Sequence, residues 1–436
     1  MLRLICADLR DARFVWLAAF AVAAVAAVAV SVPAVLLASA ERSPDRGGLA
    51  LFSLAGFTVA LTAVAALAVL TTVLRLTVTV RAAAISLWAA IGLSPAAVRA
   101  VIATEVLAVS VLGAVAGALV GVVVAPGFVA YGLTGTVGLT PVEPRADAVT
   151  AGWSALAVVL ICVPCAIAAG RRAARLSPLI AIRRDTEPPP RAGWRRPATA
   201  LALVALVASM IAALRDRQAG SQLLLIGPLL AGAVAAAGPV IVAPFERAWS
   251  RPLTRWTAAA ALGRASAVFG PRRDDATVSA AVVAIGLPTG LLAGAHTLSA
   301  LSGGSAAGTA PAVALLVGGP TVLAAAAAAV AAAMGAAARG REQAAVRAAG
   351  ADERTTLAAA AIETAVHGVT AAAAVGLVLV VAAVAESVAL GSAVAGVGPA
   401  ALVVATGGVL IATVGASALV VRRGIRRPVP DVLAVR

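Results

Sequence analysis

The chain has 436 residues, 62% of them hydrophobic, with a formal net charge of +15. This is more apolar surface than a soluble domain can bury, so the composition points to an integral membrane protein. The charge does not indicate nucleic acid: base-stacking aromatics are only 3% of residues, and the arginines fall in short segments between apolar runs, as the positive-inside rule places them.

Apolar runs of about 20 residues, enough for a helix to cross about 30 Å of hydrocarbon, recur along the chain, without strand-like alternation. The opening MLRLICADLRDAR mixes acids with arginines before a run at 14–38 that exceeds a signal-peptide core of roughly 7–15 residues. An interfacial helix and an uncleaved first span are expected. Span two is expected at 49–74, a cytoplasmic segment at 75–97 and span three at 98–125. An outer loop follows at 126–148, then span four at 149–170. Arginines then cluster around the linker DTEPPPR, the clearest cytoplasmic mark. Spans five and six are placed at 198–214 and 223–243. An arginine-rich segment at 245–276 includes TAAAALGRASAVF, which reads as an amphipathic helix on the inner surface. Spans seven to ten follow at 277–302, 311–338, 357–385 and 397–421. The expected fold is an all-α polytopic membrane protein of about ten transmembrane helices in a 4 + 2 + 4 plan, with both termini cytoplasmic.

The plan contains a duplication. Residues 81–125 and 339–382 each join a short polar-flanked helix to an apolar span. Gly92 and Gly350, like Glu105 and Glu363, are 258 positions apart. RRAARLSPLIAIRR is echoed by RRGIRRPVPDVLAVR: Arg171 and Arg423, Arg175 and Arg427, and Pro178 and Pro430 are each 252 apart, with Arg172 beside the first pair. The spans between the copies are even in number, so the repeat is parallel rather than inverted. The division is 1–185 as the first four-helix repeat, 186–244 as a linker with two connecting helices, and 245–436 as the second repeat. A membrane unit driven by a separate motor needs a rigid helix to be pushed, tied directly to a moving span. Ala84, Trp88, Gly92 and Ser94 in one copy, and Glu342, Arg347, Gly350 and Asp352 in the other, lie in segments of that form, with a glycine ending each short helix.

Gly113, Gly117 and Gly121 form a GxxxGxxxG stripe that lets helix backbones approach closely. Glu105 and Glu363 are membrane-buried charges at equivalent depths, and a structural role is expected, with nearby arginines such as Arg99 or Arg354 as partners. His367 lies one turn beyond Glu363, but Val109 stands at the equivalent place, so a proton relay would not be shared by both copies. His296 and the CVPC pair Cys162 and Cys165 read as packing. No metal site is read. Without any lysine the chain cannot form a GxxxxGK[ST] phosphate loop.

At AAIGLSPAAVRAVIATE with RRAARLSPLIAIR, and at RAAGADERTTLAAAAIE with RRGIRRPVPDVLAVR, the chain resembles the FtsX-like permease family, of the MacB, LolC and bacitracin-resistance kind. It departs from that pattern in having no acid at the start of its first short helix and only a short turn, 41–48, where some members carry a large outer domain. The resemblance implies a type VII ABC transporter architecture in the bacterial plasma membrane. It implies a permease that is not itself an enzyme and holds no cofactor, with ATP and Mg on an ABC ATPase subunit, two copies per permease. Membrane lipid and an amphipathic peptide, antibiotic or lipid substrate are the remaining partners, with no nucleic acid. The alternatives are a mechanotransmitting or sensing module that moves no substrate, and a proton-driven carrier.

Overall fold

A computed structural model describes residues 12–42, 46–134, 143–175, 195–214, 222–269, 271–301, 309–391, 399–426 and 428–429. All regular structure among them is helical: α1 (Arg13–Glu41), α2 (Arg46–Val80), α3 (Ala82–Ala90), α4 (Pro95–Leu133), α5 (Ala148–Ala173), α6 (Arg195–Leu214), α7 (Leu223–Trp249), α8 (Ala258–Phe269), α9 (Pro271–Leu301), α10 (Thr309–Ala338), α11 (Gly340–Ala348), α12 (Glu353–Leu390) and α13 (Pro399–Ile425). A 3-10 turn, Arg251–Arg255, precedes α8. Nine of these helices are long and apolar enough to cross a membrane. The tenth expected span is represented among the described residues by the shorter apolar stretch Leu223–Gly238.

Several expected boundaries shift. Pro126 does not open an outer loop; it lies inside α4, which continues to Leu133. The extension is held by packing: Val129 is buried with Leu36 and Leu315, and Phe128 joins them. Helix α2 runs to Val80, six residues past the expected end of its span. At 39 residues α4 is about 58 Å long, well beyond a hydrocarbon layer of about 30 Å. The segment expected as a surface helix is α8, and it packs on α12, where a Cβ on Gly263 would sit 2.5 Å from the Ala359 carbonyl oxygen.

The chain divides into two compact units. The first holds α1 to α5 and the stretch Pro311–Leu323 of α10; the second holds α6 to α9, the rest of α10, and α11 to α13. In the first, α1 is central, with Val22, Ala23, Ala26 and Ala27 fully enclosed and α2, α4 and α5 packed around it. In the second, Val282 and Ile285 of α9 pack with Ala371, Val375 and Leu379 of α12 and Val409 of α13. The outward sides of the spans stay apolar, with Val123, Leu160, Val388 and Ile411 exposed, which suits contact with lipid.

Candidate functional site

The two copies of the short-helix segment fold alike, hydrogen bond for hydrogen bond. In the first, α3 ends where the Gly92 amide donates to the Ala89 carbonyl at 3.2 Å and the Leu93 amide to Trp88 at 3.1 Å. Gly92 has φ of +99°, a left-handed conformation that only glycine takes freely. Ser94 then caps α4, accepting from the Ala97 amide at 3.2 Å, with Pro95 in the first turn. In the second copy, Gly350 has φ of +101°. Its amide donates to Arg347 at 3.0 Å, and the Ala351 amide donates to Val346 at 3.2 Å. Asp352 takes the place of Ser94, accepting from the Thr355 amide at 3.0 Å. The Thr355 side chain and amide hold the Asp352 carboxyl below the usual carboxylate range.

Each segment is fastened at its start by a buried ion pair. Arg81, which precedes α3, is 5% exposed and donates from Nη1 to Oε2 of Glu105 at 3.4 Å; Glu105 is fully enclosed. Arg81 also lies 5.1 Å from the Trp16 ring and 5.6 Å from the Trp88 ring, so its guanidinium is packed against two indoles. In the second copy Nη2 of Arg339 is 2.7 Å from Oε1 of buried Glu363. Arg81 and Arg339 are again 258 positions apart. The arginines expected to pair with the acids, Arg99 and Arg354, are exposed and do not. Arg99 is six residues from Glu105 and Arg354 nine from Glu363, which puts each far round its helix at about 100° per residue. The partner comes instead from the preceding helix end, brought back by the glycine turn.

The outer faces of the two short helices differ. Helix α3 exposes Ala84 and Leu87, with Ile91 just past its end, the last two at 56% and 70%, while α11 exposes Arg341 and Glu342. Arg347 donates from Nη1 to the Ile425 carbonyl at 3.0 Å, tying α11 to the end of α13. The matching residues of the first copy, Ala89 and Ala173, are too short to meet and instead line a cavity of about 220 Å³ with Ile85, Leu93, Pro95 and Val98. Arg171, Arg172 and Arg175 are exposed at the end of α5, and Arg423 at the end of α13. Pro178, Arg427 and Pro430 lie outside the described residues.

The glycine stripe faces α1. A Cβ on Gly113 would meet the Phe20 carbonyl at 2.6 Å, one on Gly117 would overlap the Ala24 carbonyl, and one on Gly121 would overlap the Ser31 hydroxyl. Its second-copy counterparts are Ala371, Val375 and Leu379. There a different stripe, on α9, brings backbones together. A Cβ added to Gly290 would sit 2.7 Å from the Gly227 backbone of α7, and one on Gly286 or Gly294 would overlap Ala231 or the Leu223 carbonyl. That spacing of four is visible in the sequence and is the signal that marks α7 as an integral part of its unit.

His367 Nδ1 lies 2.9 Å from Oε1 of Glu246 on α7, both buried. One turn away Trp249 donates to the Thr370 hydroxyl at 2.9 Å. His296 is exposed. Cys162 and Cys165 are buried free thiols, the latter 3.4 Å from the Thr71 hydroxyl. Among the described residues no three His, Cys, Asp or Glu side chains gather as a metal site.

Residues 56–178 match the family described as FtsX-like permease C-terminal. The match runs from within α2 through α3 and α4 to just past Arg175, so it takes in the first turn, clamp and arginine tail. No curated protein and no solved structure matches the chain. The match supports the FtsX-like family for this part of the chain and a permease-type membrane domain there; permeases of that family work with ABC ATPases.

Proposed function

We propose that the protein is the transmembrane permease subunit of an ABC transporter of type VII architecture, with ATP and Mg bound on two copies of a separate ATPase. The observation that carries this reading is the repeated docking segment: short helix, left-handed glycine, capped long helix and buried arginine–glutamate clamp, present twice at one spacing. A motor needs to grip a membrane subunit at two equivalent points, and each point here is mechanically tied to a span. Ala84 and Trp88, with Gly92 and Ser94 at the turn, form the first docking surface. Glu342 and Arg347, with Gly350 and Asp352, form the second.

In this scheme thrust on α3 or α11 enters α4 or α12 by two routes, the covalent turn and the clamp. A turn alone would swivel; the ion pair makes short and long helix move as one lever. The chain is then organised as repeats 1–185 and 245–436, joined by 186–244 with α6 and α7, in a bacterial plasma membrane with both termini cytoplasmic. Its apolar spans suit export, or extraction from the membrane, of an amphipathic peptide, antibiotic or lipid. Purification of the chain from its native membrane in mild detergent tests this. Mass spectrometry is expected to find a Walker-A ATPase in about twofold molar excess; recovery of the permease alone, still moving solute on a proton gradient, would overturn the reading.

A further inference from the structure

Helix α12 carries one more buried acid. Glu386, one turn before the helix ends, is 5% exposed. Its neighbours on the helix, Ala382, Ala389 and Leu390, pack with Val207 of α6, Leu223 and Ile226 of α7, and Leu298 of α9. Glu386 Oε2 is 3.3 Å from the Thr297 hydroxyl on α9, and that same hydroxyl is 3.1 Å from the Ala293 carbonyl. A threonine hydroxyl has one proton to give. Within helices here that proton goes to the carbonyl one turn back, as from Ser31, Ser39 and Thr289. The Thr297 hydroxyl is placed to donate to either acceptor, and where it serves the Ala293 carbonyl the Glu386 contact needs a proton on the carboxyl.

The repeat gives an independent reason. Thr297 corresponds to Ser39 and Glu386 to Phe128, each 258 positions apart. Phe128 packs with Val35, Leu36 and Leu315. A phenyl ring in one copy and a carboxyl in the other stand at the same position of the repeat. Among the described residues no cation pairs with Glu386; Arg215 and Arg217, which follow α6, lie outside them. Among the described residues, α6 has charge only at Arg195 and Arg196 at its far end, α7 none before Glu246, and α13 none before Arg422. On α9 the charged group at 272–275 is at the other end, and the one titratable neighbour is exposed His296. Arg264 of α8, Arg341, Glu342 and Arg347 of α11, and Glu363 and His367 of α12 itself all lie toward the start of α12. An ionised carboxylate in such a place, without a partner, is strongly unfavourable.

We infer that Glu386 and Thr297 form a proton-binding site, in which the neutral acid donates to Thr297 and fastens α9 to α12 at the end remote from the docking turn. Loss of the proton removes the fastening and places charge among apolar side chains. The site therefore makes the α9–α12 contact dependent on proton concentration.

The test is labelling of the purified full-length chain with dicyclohexylcarbodiimide, an apolar reagent that reacts with neutral buried carboxyls. The carboxyl oxygen adds to the carbodiimide carbon while the acid proton moves to nitrogen, and rearrangement leaves a stable acylurea. Peptide mass spectrometry is expected to find Glu386 labelled near neutral pH, falling by roughly tenfold per pH unit on the alkaline side. Glu105 and Glu363, paired with arginines, are expected to stay unlabelled. Glu386→Gln, which keeps a donor and no charge, is expected to unfold at the wild-type temperature at neutral pH. Absence of labelling at every pH, labelling that does not fall with rising pH, or a Glu386→Gln variant clearly less stable at neutral pH would overturn the assignment.

Discussion

Replacing Glu363 by Gln leaves Arg339 charged at the head of α11 with its counter-charge gone. The pair is tight, 2.7 Å, and its two side chains are only 11% and 5% exposed. Removing one member of such a pair costs about 3–5 kcal/mol, because the remaining charge stays buried. Replacing both residues by methionine removes the charge with the problem, and the double variant is expected within about 1 kcal/mol of wild type or above it. Glu363→Met and Arg339→Met, the single changes of that double variant, should then be strongly non-additive, with a coupling energy of about 2 kcal/mol or more. The Arg81–Glu105 pair should behave alike, and Arg81→Lys should not restore it, since lysine loses the fork and part of the stacking on Trp16 and Trp88. SDS titration in mixed micelles, followed by tryptophan fluorescence, measures each corner of the cycle. A Glu363→Gln variant within about 0.5 kcal/mol of wild type, with additive single changes, would refute the clamp as a structural element.

Gly117→Ala is expected to destabilise by about 1–3 kcal/mol, because the new methyl would overlap the Ala24 carbonyl and must push α1 and α4 apart. Gly127→Ala, with open space around it, should be neutral or slightly stabilising in the same titration. Gly92→Ala and Gly350→Ala each force a side chain into a left-handed turn and should cost about 1 kcal/mol or more, seen as faster amide exchange in α3 or α11. The Asp352 carboxyl titrates below its unfolded value, so its capping is complete above about pH 4 and is lost as the pH falls through the native value. Exchange of the Thr355 amide, corrected for its intrinsic rate, should rise over that acid range, while the Ala97 amide capped by Ser94 should show no such titration.

The repeat, the glycine turns and the buried acids are legible because each is a local pattern: a residue type at a fixed offset, or a glycine ending a short helix. The partner of each acid is not. Arg81 and Arg339 share the 258-residue spacing, yet nothing local says that a chain reversal at Gly92 or Gly350 carries them back to the long helix. The same limit hides Glu246 from His367, which are far apart in sequence and joined only by the packing of α7 on α12. The place of α7 in its unit rests also on Gly286, Gly290 and Gly294 of α9, a signal that is present in the sequence. The end of span three differs from expectation for another reason. Pro126 is a breaker by propensity, but Phe128 and Val129 beyond it have apolar partners, and packing outweighs the lost hydrogen bond.

The most direct test of two equivalent docking points is native mass spectrometry of the detergent-purified permease with its ATPase, counting ATPase chains per permease. The intact chain should carry two. Replacing residues 82–90 by a glycine–serine linker of equal length should reduce the count to one, as should the same replacement at 340–348, and both together should leave none. Two ATPase chains retained after both replacements would contradict the account.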